Sequence, residues 1–179
     1  ATNPAALAAA LEAAAAAGET PRLDALRQLA ETHPQGWQTV HDIMAIADHA
    51  ALAADPEKRM AAVARMFDAA VAISPEAGVA LYSLGDAEAL GTATAEIVAW
   101  LDRWHLIDAA SRVLDLGCGE GKLLAALGPR VRSAWGVDVS PAMVAEADRR
   151  CAGLRNVRVR QIGGLDLAPL PDESFDLVV

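Results

Sequence analysis

Three glycines at alternate positions, Gly117, Gly119 and Gly121, follow the apolar run Val113-Leu114-Asp115-Leu116. A second apolar run, Trp135-Gly136-Val137, then ends on the carboxylate of Asp138. Glycines where a strand turns into a helix let the chain bend tightly and let a ligand lie against bare main chain. A carboxylate at the tip of the next strand can accept hydrogen bonds from the vicinal hydroxyls of a ribose. Together these residues describe a nucleoside-binding crevice, and their spacing restricts the nucleoside. The dinucleotide pattern G-x-G-x-x-G needs glycine at position 122, which holds Lys122. The phosphate loop G-x-x-x-x-G-K-[ST] needs glycine at 116 and a hydroxyl after the lysine, where the chain has Leu116 and Leu123. What remains is G-x-G-x-G.

The elements that must position these residues change character along the chain. Residues 1–91 read as helices separated by proline and glycine. Ala5 to Ala17 is a strong helix former that stops at Gly18. Thr20-Pro21 opens a second helix, with Leu23, Leu26 and Leu29 on one face. His33-Pro34-Gln35-Gly36 breaks the pattern, and a third helix is expected from Trp37 to Ala53. Asp55-Pro56-Glu57 starts a fourth, in which Met60, Val63, Met66, Phe67 and Val71 recur at helical spacing. Ser74-Pro75-Glu76 starts a short fifth helix expected to reach Tyr82. After Gly85 another helix carries Ile97, Val98, Leu101, Trp104 and Leu106.

From residue 92 onward the predicted architecture is α/β. Strands are expected at Arg112–Leu116, Ala134–Asp138, Asn156–Ile162 and Phe175–Val179. Helices are expected at Glu120–Leu127 and from Ser140-Pro141 to Cys151. Repeated strand–helix–strand units with apolar strands imply a doubly wound parallel sheet covered on both faces. The last residues form a raw apolar strand with no turn signal, so the chain is expected to be the front part of a longer polypeptide.

Bulk composition narrows the partners. A formal charge of −9 argues against general attraction to nucleic acid or to an anionic membrane. Most of that charge sits in residues 1–90, which carry 12 acidic and 5 basic side chains. The two cysteines, Cys118 and Cys151, fit a reducing cytoplasm better than a disulfide framework, and no stretch reads as a membrane span or signal peptide. His33, His41, His49 and His105 lack metal-ligand spacing and are expected on helix surfaces. Trp37, Trp100 and Trp104 fall in helical patterns expected to face the core. The concentration Arg149, Arg150, Arg155, Arg158 and Arg160 reads as a solvated face, with contact to an anionic substrate or nucleic acid as the alternative.

Residues 113–121 resemble the first motif of the class I S-adenosylmethionine-dependent methyltransferases, a Rossmann-like family. Gly136-Val137-Asp138-Val139-Ser140-Pro141-Ala142-Met143 is similar to that family's second motif. Leu170-Pro171-Asp172-Glu173-Ser174-Phe175-Asp176-Leu177-Val178-Val179 is similar to the run into its fourth strand. The likeness covers about residues 92–179, in the right order and at compatible spacing.

The resemblance implies a cofactor, S-adenosylmethionine, and a role for each matching position. Gly117, Gly119 and the backbone at Cys118 would lie under its methionine portion, with Asp115 near the ammonium. Asp138 would bind the ribose, and Val139 and Met143 would pack on adenine. Gly164, Leu165 and Asp166 would address the adenine edge, and Tyr82 resembles a tyrosine that leans over the cofactor. The family often carries an acidic residue where this chain has Gly164.

Each position also has a structural reading. Asp115 can cap the turn, Asp138 can simply end a strand, Met143 can be core, and Tyr82 can be a buried aromatic. Cys118 reads as a small turn residue, since no His in nearby sequence could activate it. The expectation is methyl transfer to a small-molecule acceptor with no assigned catalytic residue. Two alternatives are a non-catalytic S-adenosylmethionine-binding or regulatory protein and a nicotinamide-dependent oxidoreductase. The acidic helical region, residues 1–91, is expected to be a substrate cover, an oligomer contact or a packing appendage.

Overall fold

A computed structural model describes Asp24, Gln28 and residues 31–46, 55–80 and 83–179. The helix expected at Ala5–Ala17, the N-cap at Thr20, the face of Leu23, Leu26 and Leu29, and Tyr82 and His49 lie outside the described residues.

Proline opens three successive helical elements, and a capping side chain precedes the second and third. Helix α1, Pro34–Ile46, begins three residues earlier than expected. The expected break falls at His33, after the helical residues Glu31 and Thr32, and Pro34, with no N–H to leave unpaired in a first turn, already starts the next helix. Helix α2, Pro56–Ile73, is capped by Asp55, whose side chain accepts from the N–H groups of Glu57 and Lys58. Helix α3, Pro75–Val79, is capped by Ser74, whose Oγ accepts from the Ala77 N–H at 3.2 Å. It stops at Val79, short of the expected Tyr82, because Ala80 is extended (φ −146°). Helix α4, Ala87–Arg103, is capped by Asp86 and crosses the expected border between residues 91 and 92.

Trp100 and Trp104 are not core residues: they are 47% and 60% exposed. Helical phase explains this. Val98 and Leu101 face the sheet, which leaves Trp100 and the cap residue Trp104 on the opposite side. There the two rings stack on each other at 5.2 Å, with the Arg103 guanidinium 5.1 Å from the Trp100 ring. Leu106 lies beyond the helix, after a turn at His105.

The sheet is parallel throughout, in the order β3-β2-β1-β4, with β1 Arg112–Leu116, β2 Ser133–Asp138, β3 Val157–Gln161 and β4 Leu177–Val178. Helix α5, Lys122–Leu127, follows β1, and helix α6, Pro141–Cys151, follows β2. The fourth strand is shorter than expected, although Asp176 N–H still donates to Arg112 O at 2.8 Å and Val179 N–H to Leu114 O at 2.9 Å. One sheet face packs Val113 and Ala134 against Val98, Leu101, Leu124, Leu127 and Ala147 from the helices. Leu124 and Leu127 are fully buried, each contributing roughly 1.5–3 kcal/mol. The other face gathers Leu114, Val137, Ile162 and Leu170, with Trp135 and Phe175 edge to face at 5.9 Å. This Rossmann-like layering brings the carboxyl ends of β1 and β2 side by side, with Leu116 opposite Val137.

Candidate functional site

The glycine turn hangs on β2. Gly117 and Cys118 both donate their N–H to Val137 O, at 2.8 and 3.0 Å. Gly117, Gly119 and Gly121 all have positive φ (85°, 51° and 78°), a region that penalises any Cβ. The three differ in what surrounds them. At Gly121 a Cβ would stand 2.8 Å from Ala147 Cβ, so this glycine lets α6 close on the turn. At Gly117 a Cβ would meet nothing within 4 Å, so its bare main chain faces open space. The turn postpones the helix to Lys122, two residues later than expected.

Asp138 ties the second strand to that turn. Its Oδ2 accepts from Gly119 N–H at 2.9 Å, and its Oδ1 accepts from Ser140 N–H at 2.9 Å. The carboxylate is therefore fixed in direction while keeping acceptor capacity for a further donor. Ser140, fully buried, caps α6 by accepting from Met143 N–H at 3.0 Å.

A cavity of about 500 Å³ opens over these residues. Eight of the residues singled out from sequence line it: Gly117, Gly119, Asp138, Val139, Met143, Gly164, Leu165 and Asp166. Met143 is 1% exposed and thus belongs to both the core and the wall. Sequence reasoning missed the opposite wall, which is Met60 and Phe67 of α2 with Val79 of α3. Their helical spacing was visible, but nothing in it says which surface that face meets.

Two further predicted residues, Asp115 and Cys118, line a second cavity of about 230 Å³, which shares Val79 and Gly117 with the first. Glu120 and Lys122 line it with them. Asp115 is 7% exposed. Burial, and secondarily the charge of Asp138, push its carboxyl up to about 6. Burial likewise pushes the Cys118 thiol far above its ordinary range, which suits packing and not nucleophilic chemistry.

Glu120 is 1% exposed and pairs with Arg150, which also donates from Nε to Glu120 O at 3.0 Å. Its other oxygen, Oε1, has no hydrogen-bond partner and lies 3.6 Å from Lys122 Nζ. Arg150 thus leaves the solvated basic face expected from sequence, whereas Arg149, Arg155, Arg158 and Arg160 are exposed.

The loop after β3 accounts for the missing acidic residue. Gly164 has φ +80°, and a Cβ there would come within 2.7 Å of Val139 Cγ1 and 3.1 Å of Met60 Cε. Val139, and behind it Met60 of α2, thus occupy the space a side chain at 164 needs. Asp166 remains exposed on the cavity rim, its Oδ1 accepting from Ala168 N–H at 3.2 Å. Among the described residues, no group of three or more His, Cys, Asp or Glu is placed to hold a metal ion. No described helix is long and apolar enough to cross a membrane.

Residues 113–179 match the family model described as a methyltransferase domain. The likeness to a methyltransferase domain thus covers β1 to β4. The chain is 40% identical over 72 residues to an uncharacterized methyltransferase, YcgJ, of Bacillus subtilis (strain 168), covering 39% of this chain and 28% of that protein. It is 37% identical over 83 residues to a ubiquinone biosynthesis O-methyltransferase of Pseudomonas syringae pv. tomato, covering 45% of this chain and 35% of the relative. Among solved structures it is similar to an S-adenosylmethionine-dependent methyltransferase from Thiobacillus denitrificans in complex with S-adenosyl-L-homocysteine. That likeness has 29% identity and a TM-score of 0.39, and covers 48% of this chain and 34% of that one. The chain therefore spans about a third of the length of the relatives it matches. The match begins in β1, and the helical wall of Met60, Phe67 and Val79 lies before it.

Proposed function

We propose that the protein binds S-adenosylmethionine in the paired cavities and transfers its methyl group to a small-molecule acceptor. The observation that carries this reading is the convergence, on one cavity, of the glycine turn, the anchored Asp138 and the apolar wall of Val139, Met143 and Leu165. In this reading Asp138 accepts from the ribose hydroxyls. Val139 and Met143 pack on the adenine, Leu165 and Asp166 take its edge, and Gly117, Gly119 and the Cys118 backbone lie under the methionine portion. Asp115 faces the ammonium, and Tyr82 remains assigned to the cofactor's outer side.

The donor set fits a cationic ligand. Asp115 is held protonated up to about 6 by burial and by Asp138, so a positive charge nearby would relieve both penalties. When bound, the cofactor supplies a methyl group on a sulfonium, which is already a strong leaving group. This chain's residues then have three tasks: hold the adenosyl group, fix its direction and keep water out. The Met60, Phe67 and Val79 wall serves the third. Alignment of two reactants is worth roughly 7–11 kcal/mol, so a dedicated base is not required of these residues. The acidic charge, and the ubiquinone-biosynthesis name of one relative, support a small-molecule acceptor over nucleic acid. Two buried free thiols support a reducing, cytoplasmic setting.

Calorimetry with S-adenosylmethionine and with NADH, followed by methyl-transfer assays on quinol-like and amine acceptors, tests the proposal. S-adenosylmethionine binding together with transfer is the expected result. Binding without transfer to any acceptor leaves the regulatory alternative, and NADH binding with no response to S-adenosylmethionine overturns the reading.

A further inference from the structure

Helix α2 does more than wall the cavity. Its Asp68, half-buried, reaches across to the turn that follows Asp138. Asp68 Oδ1 accepts from Ser140 Oγ at 2.6 Å and from Ala142 N–H at 3.0 Å. Ser140 N–H in turn donates to Asp138 Oδ1 at 2.9 Å, and Gly119 N–H donates to Asp138 Oδ2 at 2.9 Å. An unbroken chain of hydrogen bonds thus runs from α2 through Ser140 and Asp138 to the glycine turn. Ser140 is fully buried, so its hydroxyl depends on a protein partner, and Asp68 is that partner.

We propose that Asp68 is a positioning residue: it fixes the Asp138–Ser140 turn so that the Asp138 carboxylate is aimed at the ribose before the ligand arrives. The inference rests on the S-adenosylmethionine reading above. It makes the helical region before the methyltransferase domain a determinant of cofactor affinity through one named contact. Three features favour positioning over general support. Asp68 touches the turn and does not line the cavity. Both donors it receives belong to the first residues of the segment that begins at Ser140. Its bond to Ser140 precedes Asp138 in the chain of contacts. A carboxylate near the first turn of an 11-residue helix is also favoured by the helix dipole.

The test compares two ligands on the full chain: S-adenosyl-L-homocysteine and its 2′,3′-dideoxy counterpart, which lacks the hydroxyls that Asp138 would grip. Asp68→Ala is expected to weaken binding of the first by about tenfold, the size of one lost buried charged hydrogen bond. It should leave binding of the second within about twofold, as for independent sites. Asp68→Asn keeps a carbonyl acceptor and is expected to lose only about threefold, again for the ribose-bearing ligand alone. Should Asp68→Ala not fold, Asp68→Asn carries the same two-ligand comparison. Equal losses for both ligands would show that Asp68 merely props the wall, and unchanged affinity for both would show no positioning at all; either result overturns the inference. A wild-type chain that fails to bind S-adenosyl-L-homocysteine overturns the functional reading, and the inference with it.

Discussion

Replacing Asp115 by asparagine should stabilise the ligand-free protein, and by an amount that depends on pH. In the folded chain its carboxyl is pushed up to about 6 from 3.8, first by burial and then by the charge of Asp138. Between those two values the unfolded chain has released the proton while the folded chain still holds it. Folding stability therefore falls as pH rises from about 4 to about 6, and stays flat above. A tenfold difference in proton affinity corresponds to about 1.4 kcal/mol, so the burden at neutral pH is roughly 3 kcal/mol. Asparagine carries no such burden. Its advantage over aspartate should be about 2 kcal/mol larger at pH 7.5 than at pH 4.5, since most of the interval between the two proton affinities lies above the lower pH. In a chain of this size that corresponds to a Tm difference of roughly 4–8 °C. Urea unfolding of both proteins without ligand, at the two pH values, measures it. The same substitution should weaken S-adenosylmethionine binding at neutral pH, so stability and affinity move in opposite directions. Parallel stability profiles for the two proteins would refute the idea that Asp115 is held protonated against a neighbouring charge.

Asp138→Asn should cut S-adenosyl-L-homocysteine affinity by at least about tenfold in calorimetry; unaltered affinity in a folded variant removes the ribose role. Gly121→Ala places a methyl group 2.8 Å from Ala147 Cβ at a φ of +78°. Strain and overpacking together should cost roughly 2–4 kcal/mol in denaturant titration. Gly117→Ala, where the added carbon meets nothing within 4 Å, should cost only the backbone strain, about 1–2 kcal/mol, yet obstruct the ligand. Arg150→Ala leaves Glu120 buried without its partner and should destabilise the fold by about 3–5 kcal/mol. Adding Glu120→Gln to that variant should recover part of the loss, and a double variant no more stable than Arg150→Ala counts against an uncompensated charge as the cause.

The parts of this molecule legible in its sequence are those set by local chemistry. Asp55, Ser74 and Ser140 are followed by proline and sit at true N-caps, because a side-chain acceptor and a missing N–H act within one turn. The three apolar strands and the crevice residues Gly117, Gly119 and Asp138 follow from runs and spacings of the same short range. Sequence and structure part where tertiary packing chooses between local options. Trp100 and Trp104 lose the core to Val98 and Leu101 because a helix offers the sheet only one face. Arg150 reads as one of several surface arginines until Glu120, thirty positions away, is seen buried beside it. The contact of Asp68 with Ser140, across 72 positions, is equally silent, since an aspartate in an amphipathic helix is ordinary. Gly164 is a third case, because the need for a glycine comes from Val139 and Met60, neither of them its neighbour in sequence.

The electrostatics of the second cavity bear on the choice of ligand more directly than the glycine spacing does. A dinucleotide would bring its pyrophosphate to the glycine turn, where the described lining residues offer the carboxylates of Asp115 and Glu120 and a single cation, Lys122. That cation is already engaged: its Nζ donates to Ala87 O at 3.3 Å and lies 3.6 Å from Glu120 Oε1. Glu120 is paired with Arg150, but a doubly anionic group would still meet the uncompensated charge of Asp115 in a half-dry space, where Coulomb repulsion is weakly screened. A ligand carrying an ammonium and a sulfonium meets the opposite situation. Asp115, ionised above about 6, then has a partner, and the repulsion between it and Asp138 would become shared attraction to the ligand. Binding should consequently draw a proton off the protein below about pH 6, with the uptake of that proton by buffer visible as a buffer-dependent heat.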